Sequence, residues 1–184
     1  MSNRSVWTVD PQHTHVDFSV RHLMIATVKG RFGEVEGTVT FDPADARDAQ
    51  VDVRIAAASI DTRVTDRDNH LRSADFLDVE NHPTIRFTGR KVERLDNQRY
   101  RLIGDLTIRG VTREVPLEVE MQGTVKDPWG NEKAGYSATG VINRHDFGLN
   151  WNAALETGGV VVGAEVKITL EGELVRKQVH KAAA

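Results

Sequence analysis

Hydrophobic and polar residues alternate most regularly between Tyr100 and Val125. Apolar side chains and Gly104 occupy every second position from Tyr100 to Ile108, and a second run alternates from Val115 to Val125 after a tight connection at 109–111. A period of two places alternate residues on opposite faces of a strand, whereas a helix would spread the charges around its circumference. The pattern therefore predicts two antiparallel strands with one buried and one solvated face.

The same alternation recurs along the chain. It predicts eight strands in all, at about 14–22, 31–42, 50–59 and 84–95, two within 100–125, and at about 134–145 and 159–176. Eight antiparallel strands are the number at which a closed barrel is either filled by side chains or holds one small ligand. The prediction is an all-β, eight-stranded antiparallel barrel formed by residues 7–176 of a single domain spanning 1–184, with a frayed tail at 177–184.

The segments between these strands are short. Residues 7–10 are predicted to be an extended lead-in, 44–49 a polar loop, and the unalternated apolar run 23–28 a turn of helix or a lid. One helical excursion is predicted between the third and fourth strands, where Thr65 and Asp68 fit a capping box.

Glycines fall on the apolar face of six predicted strands: Gly37, Gly89, Gly104, Gly123, Gly140 and Gly172. Glycine inside a strand costs roughly 0.5–1 kcal/mol relative to alanine, so the placement needs a reason. Two compatible interpretations are sharp coiling of a closing sheet and an interior kept partly empty for a ligand.

Composition excludes several classes of function. The net charge of −3 gives no basic field for nucleic acid, and the absence of cysteine rules out disulfides and thiolate chemistry. No stretch approaches 18 apolar residues, so we expect no membrane span. The N-terminal residues contain no apolar run typical of a signal peptide, so we expect a cytoplasmic protein.

Few polar residues are candidates for metal binding, catalysis or phosphate binding. His13 and His15 would share a strand face, but no third metal ligand stands at a recognisable spacing. His145 and Asp146 form an adjacent acid–base pair without a nucleophile motif, so bracing of a loop is the favoured interpretation and a catalytic dyad the alternative. The helical arginines, which could form a phosphate site, are interspersed with acids and are expected to be solvated: Arg63, Arg67 and Arg72. We predict no catalytic residue and no metal.

Four segments resemble the YceI-like polyisoprenoid-binding proteins. They read WTVDPQHTHVDFSVRHLMIATVKGRF at 7–32, HLRSADFLDVENHPTIRFT at 70–88, GDLTIRGVTREVPLEV at 104–119 and NRHDFGLNW at 143–151. The resemblance covers about 7–175, and it implies a lipocalin-like barrel, commonly dimeric, whose pore holds a long isoprenoid tail such as that of a quinone or prenyl phosphate. It implies no set of catalytic residues and no further cofactor.

The favoured function is binding, sequestration or transport of a polyisoprenoid or similar long-chain amphiphile. The alternatives are an enzyme that uses the His/Asp pair on a lipid or small hydrophobic substrate, and a solid barrel whose outer face binds a protein. The apolar residues on short non-strand pieces either plug one barrel end or form a hydrophobic rim for the ligand. The candidate lining of lumen and mouth comprises Phe18, Val20, Leu23, Met24, Ile25, Phe32, Leu71, Phe76, Phe87, Leu102, Gly104, Leu106, Leu117, Val119, Met121, Gly140, Ile142 and Trp151.

The last predicted strand also suggests a partner surface. Its first residues, 160–164, are apolar on both faces, and an outward apolar patch on a charged barrel is typical of an interface. A two-fold homodimer is the expected assembly.

Overall fold

One antiparallel sheet closes on itself in the computed structural model, which describes residues 3–178. The strands of this part of the chain are β1 (Ser5–Val9), β2 (His15–His22), β3 (Ala26–Phe32), β4 (Val35–Asp42), β5 (Asp45–Ala56), β6 (Ile60–Asp61), β7 (Thr84–Arg94), β8 (Arg99–Ile108), β9 (Val111–Lys126), β10 (Glu132–Asn143) and β11 (Val162–Arg176). Helix α1 spans Thr65–Arg72, and short 3-10 turns cover Ala57–Ser59 and Arg144–Phe147.

The ring has eight wall positions, which confirms the predicted eight-stranded antiparallel barrel. Around the wall the order is β1, β4, β5, β7, β8, β9, β10 and β11, and pairing of β1 with β11 closes the ring. Strand β2 continues β1 along the same edge of β11, and β3 pairs with β2 as β4 pairs with β1. Each of these two wall positions is therefore one strand interrupted partway.

The interruptions account for most of the differences from the predicted boundaries. Residues 7–9 of the predicted lead-in belong to wall strand β1, and the strand predicted at 31–42 is divided at Gly33 and Glu34. Residues 26–28, predicted as helix or lid, form the start of β3, so the turn is limited to 23–25. The polar loop predicted at 44–49 is wrong as well, because the Asp42 carboxylate accepts a hydrogen bond from the Ala44 amide in a tight turn and β5 begins at Asp45.

The C-terminal end of the barrel also differs from the prediction. The Lys177 amide donates to the Val6 carbonyl at 2.8 Å, which extends the ladder one residue into the predicted frayed tail. Residues 179–184 of that tail lie outside the described part of the chain.

Helix α1 is confirmed, but its capping box is wrong. Val64 occupies the N-cap position and makes no side-chain cap. The buried Asp68 carboxylate instead accepts hydrogen bonds from the Thr62 amide at 2.8 Å and from its hydroxyl at 2.6 Å. The carboxylate therefore holds the helix onto the preceding segment rather than closing its first turn.

A β-bulge near the end of β9 reverses which side chains point into the barrel. The pairing with β10 shifts between Ala134 and Tyr136, and Gly123 takes a φ of +96° opposite that shift. Beyond the bulge Thr124 faces Ala134, so Val125 points outward and is 67% exposed. The predicted inward position of Val125 is therefore wrong, because the extra residue inverts the alternation.

The two barrel ends are built differently. At one end, here called the helix end, lie α1, the β2–β3 turn, the β8–β9 turn and residues 144–161. At the opposite end Trp7 is completely buried and packs against Phe41, with ring centroids 5.2 Å apart.

Candidate functional site

An apolar cavity of about 280 Å³ runs along the inside of the barrel. Side chains from both ends line it, from Phe76 and Leu149 at the helix end to Phe41 and Tyr100 at the other. Its volume is close to the lower limit of pockets that bind small ligands, roughly 300–1,000 Å³. The barrel is thus not filled by its own side chains.

Twelve of the candidate residues line this cavity. They come from six strands and from the helical excursion, and they are Phe18, Val20, Phe32, Leu71, Phe76, Phe87, Leu102, Leu106, Leu117, Val119, Met121 and Ile142. The inward placement of the ten strand residues follows directly from the period-two pattern.

Six candidates lie elsewhere, and two of these are glycines. A Cβ atom on Gly104 would lie 2.6 Å from the Thr88 carbonyl oxygen, and the Phe87 ring covers the site. A Cβ on Gly140 would lie 2.6 Å from a Leu117 methyl carbon. Because these two glycines have no side chain, neighbouring side chains and backbone can approach them closely. This supports the coiling and packing interpretation at both positions.

Three more lie at the tip of the β2–β3 hairpin, outside the cavity. Leu23 and Met24 have φ values of 51° and 61°, which turn the chain tightly and hold Met24 and Ile25 outward with 60% and 80% exposure. The Leu23 amide donates to the Val161 carbonyl at 2.8 Å, and the Met24 side chain lies against Gly159. These residues form an exposed apolar patch with Val160, named here the tip patch.

Trp151 belongs to an aromatic group that covers the helix end. Its ring centroid lies 4.6 Å from that of His70 and 5.4 Å from that of Phe76. His70 Nε2 lies 2.8 Å from an Asp75 carboxylate oxygen, which orients the ring. Trp151 thus packs behind Phe76, which does line the cavity.

Other lining residues were absent from the candidate list. The alternation in β5 and β11 already marks most of them as inward, including Val51, Val53, Val166, Ile168 and Leu170. Arg144 is different, because it is a charged residue for which the pattern gave no signal.

Arg144 is buried, with 3% exposure, and lines the cavity at the helix end. Its guanidinium donates to main-chain carbonyls, those of Leu149 at 2.6 Å, Gly163 at 2.8 Å, Trp151 at 2.9 Å and Val162 at 3.2 Å. Burial lowers its pKa from the ordinary value, but a guanidinium remains protonated in proteins. These contacts hold the segment after β10 against the start of β11.

Tyr136 is a second polar residue of the lining. Burial raises the pKa of its hydroxyl, and a hydrogen bond with Thr14 partly offsets that rise. The two side chains meet over Gly172, where an added Cβ would lie 2.7 Å from the Tyr136 oxygen.

The histidines considered as metal ligands do not share a site. His15 lies 3.2 Å from Asp17, whereas His13 converges with Asp10 and Glu173. The Lys133 ammonium is already placed there, 3.1 Å from Asp10 and 2.8 Å from Glu173. Burial acts to raise the pKa of Asp10, but hydrogen bonds from His13 and Lys133 hold it below its usual value. A lysine therefore supplies the positive charge of this cluster.

The remaining polar candidates make structural contacts. His145 Nδ1 lies 3.0 Å from the Asn150 amide oxygen, within the turn that follows β10. Arg67 donates to Thr62, and Arg72 donates to the carbonyls of Ala58 and Ile60. These bonds brace a loop and hold α1 on the barrel.

Sequence comparison identifies related proteins. A family model described as YceI-like domain matches residues 7–174. A UPF0312 protein of Staphylococcus epidermidis is 39% identical over 165 residues, which cover 89% of this chain and 94% of the relative.

Solved structures share the fold. A YCEI protein of Campylobacter jejuni matches with a TM-score of 0.74 and 34% identity, over 86% of this chain and 90% of that one. A polyisoprenoid binding domain of Saccharophagus degradans, implicated in plant cell wall breakdown, matches with a TM-score of 0.68 over 94% and 99% of the two chains. Identity to that domain is only 12%, so the likeness shows the fold alone. Within residues 3–178, no helix has the length and apolar character needed to cross a membrane.

Proposed function

The chain belongs to the YceI-like domain family, and from that premise we propose that its barrel binds, sequesters or transports a polyisoprenoid or similar long-chain amphiphile. The observation that carries the proposal is the continuous apolar cavity inside the closed wall. The ligand binding named for the Saccharophagus degradans domain supports the same ligand class.

The physical basis of binding would be burial of the apolar tail. Each methylene transferred from water contributes about 0.8 kcal/mol, so a long tail supplies most of the affinity without specific polar contacts. A quinone or prenyl phosphate fits this scheme, because its tail is apolar and its polar group is confined to one end.

This proposal is favoured over the two alternatives. An enzyme needs a nucleophile or a base aligned with its partner, and His145 pairs with Asn150 in a surface turn instead. A protein-binding barrel with a solid core would lack the internal cavity.

Native mass spectrometry tests the proposal. Protein purified from its host should lose the mass of a lipid after organic extraction, and the delipidated protein should regain mass when a prenyl compound is added. A protein that carries no extractable lipid and binds no added prenyl compound would contradict the proposal.

Homodimer formation is a further part of the proposal. The tip patch presents apolar side chains to solvent, and burying it against a second copy would remove them from water. Light scattering should give the mass of a dimer, and Ile25→Glu should give a monomer. Trp129→Glu, at an exposed apolar residue of the opposite end, is the matched control and should leave the dimer intact. A wild-type monomer at tens of micromolar would contradict the assembly. The cytoplasmic location stays a prediction, which fractionation of host cells would test.

A further inference from the structure

The hydrogen-bond ladder between β9 and β10 stops before either strand ends. Its last pair toward the helix end joins Thr139 to Glu118. Beyond that pair, the rest of β9 is paired only with β8, and the rest of β10 only with β11. Residues 111–117 of β9 and 140–143 of β10 therefore lie side by side without pairing, and this break in the wall is here called the seam.

Pro116 explains why the ladder stops. The Met121 amide donates toward the β8 side, to the Gln98 carbonyl at 2.9 Å. Main-chain groups of successive residues in a strand point to opposite sides, so those of position 116 are directed toward β10. The Pro116 carbonyl oxygen does lie there, 3.3 Å from the place of a Cβ on Gly140. Proline has no N–H, so the next pair of the ladder, with Val141, cannot form both of its hydrogen bonds.

The internal cavity and an outer groove meet at the seam. On the inner side, Leu117 and Ile142 line the cavity, and the Leu117 side chain lies across Gly140. On the outer side, a groove of about 420 Å³ is lined by residues that include Pro116 and Gly140. Ile168, which pairs with Gly140, borders both spaces. The wall is therefore thin at this point, and Leu117 stands between the groove and the cavity.

The two ends of the barrel are closed by contacts that would have to break. At the helix end, the Arg109 guanidinium donates to the Phe76 carbonyl at 2.8 Å, and Arg144 donates four hydrogen bonds to carbonyls of residues 149–163. At the opposite end, Trp7 is completely buried. Separating the strands at the seam breaks no ladder hydrogen bond, so the seam is the part of the wall that opens at the lowest cost.

A second break in the ladder, between β5 and β7, lacks the proline. Pairing of these strands stops at Asp52 and Thr88. Every residue of 45–51 and 89–94 has a main-chain N–H, so no donor is missing from the two unpaired segments. The loss of a donor in the wall thus distinguishes the seam from this break.

We propose that the seam is a lateral gate through which the tail of a long-chain lipid enters and leaves the cavity. The inference rests on the proposed function, because it requires a tail bound inside the barrel. In the open state the two strands part and Leu117 turns away from Gly140, while the ladders on both sides of the seam stay paired. Entry and exit cross the same barrier, so the gate sets the rate of exchange and not the affinity.

A reversible crosslink across the seam provides the test. The chain has no cysteine, so a bifunctional thiol reagent that is cleaved by reduction joins only introduced residues. Glu114→Cys and Val141→Cys, at exposed positions of β9 and β10, are combined to bridge the seam. The matched control combines Glu114→Cys with Asp105→Cys, which joins β9 to its ladder partner on β8. Exchange of bound geranylgeraniol for its deuterated form is followed by native mass spectrometry.

The crosslink across the seam should slow this exchange by about tenfold or more and change the affinity by less than about twofold. Cleavage of the reagent should restore the rate in the same sample, which shows that the protein is folded throughout. The control crosslink should leave the rate unchanged. An unchanged rate in the seam variant, or equal slowing in the control, would overturn the gate and leave the proposed function standing. Wild-type protein that binds no geranylgeraniol would contradict the proposed function itself.

A single substitution tests the gate without a crosslink. Leu117→Ala removes the side chain that lies across Gly140, whereas Leu106→Ala removes an equal side chain from the lining on β8, which is paired on both sides. Both variants should bind the lipid more weakly. Leu117→Ala should also exchange it about threefold faster than its loss of affinity accounts for, because the barrier is lowered as well. Exchange rates that follow affinity equally in the two variants would overturn the gate.

Discussion

Leucine substitutions at three adjacent residues of β10 distinguish a hollow barrel from one that is filled by its own side chains. Ala138 lines the cavity, Thr139 points outward and is exposed, and Gly140 is inward but covered by Leu117. Replacing Ala138, Thr139 and Gly140 one at a time by leucine therefore places the same side chain in the cavity, in solvent and against Leu117, respectively.

The expected magnitudes follow from these surroundings. In Ala138→Leu the three added carbons enter the cavity, where burial offers at most about 2.4 kcal/mol of favourable transfer, reduced by lost side-chain entropy. The stability of the lipid-free protein should therefore be unchanged or higher. The same carbons exclude about three methylenes of ligand, so the affinity for a prenyl lipid should fall by about 50-fold.

Gly140→Leu should behave in the opposite way. Overpacking against Leu117 costs about 1–3 kcal/mol or more, which lowers the melting temperature by about 2–12 °C. Thr139→Leu is the control and should alter neither property appreciably.

Calorimetry of the delipidated variants together with lipid titration checks the series. Destabilisation of Ala138→Leu equal to that of Gly140→Leu would show that the interior is filled, and the reasoning from the cavity would be refuted.

Three further predictions concern residues outside this series. His145→Ala should lower the free energy of unfolding by about 1 kcal/mol and leave lipid affinity unchanged, because it removes a single bond to Asn150; loss of a lipid-converting activity with binding intact would favour the enzyme alternative. Trp7→Ala should cost about 3–5 kcal/mol in denaturant unfolding, since Trp7 is completely buried, and a cost below 1 kcal/mol would contradict its role in closing the barrel end. Because the folded-state pKa of Asp10 is depressed, its contribution to stability is present above about pH 4 and is lost as pH falls through the folded-state pKa. Asp10→Asn should therefore flatten the acid side of the stability curve, and an unchanged acid dependence would count against the interaction with Lys133.

The regular part of the barrel is visible in the sequence because each wall strand there has one dry face and one wet face. Strand β8 shows this best, with Leu102 and Leu106 inside and Arg101 and Asp105 outside. Where both faces of a strand are partly exposed, the pattern fails. That is the situation at 26–28, and the run was predicted as a turn of helix or a lid although it pairs with β2.

Local irregularities were beyond period-two reasoning. The bulge at Gly123 inserts one residue. A glycine inside a strand can mark a bulge, but five other strand glycines gave the same signal, so the sequence did not single out this position. The predicted strand at 31–42 is divided because β3 pairs with β2, whereas β4 pairs with β1. These pairings are set by the closure of the ring and not by the local sequence.

The candidate site was likewise predictable only where its residues follow the regular alternation. Side chains that follow the alternation, such as Phe87 and Val119, do line the cavity. The glycines were ambiguous, because the space beside Gly104 is occupied by Phe87 from the neighbouring strand. Arg144 could not be recognised, since a charged residue after a strand is ordinarily solvated and its burial depends on the fold of 149–163.

The central claim is that a lipid tail lies inside the barrel, and a chain-length series tests it most directly. Affinity of the delipidated protein is measured for prenyl alcohols that differ only in the number of isoprene units. Binding inside an apolar cavity predicts a gain of about 0.8 kcal/mol per buried methylene equivalent, followed by a plateau once the tail fills the cavity. Affinity that does not depend on chain length, or no binding at any length, would contradict the account.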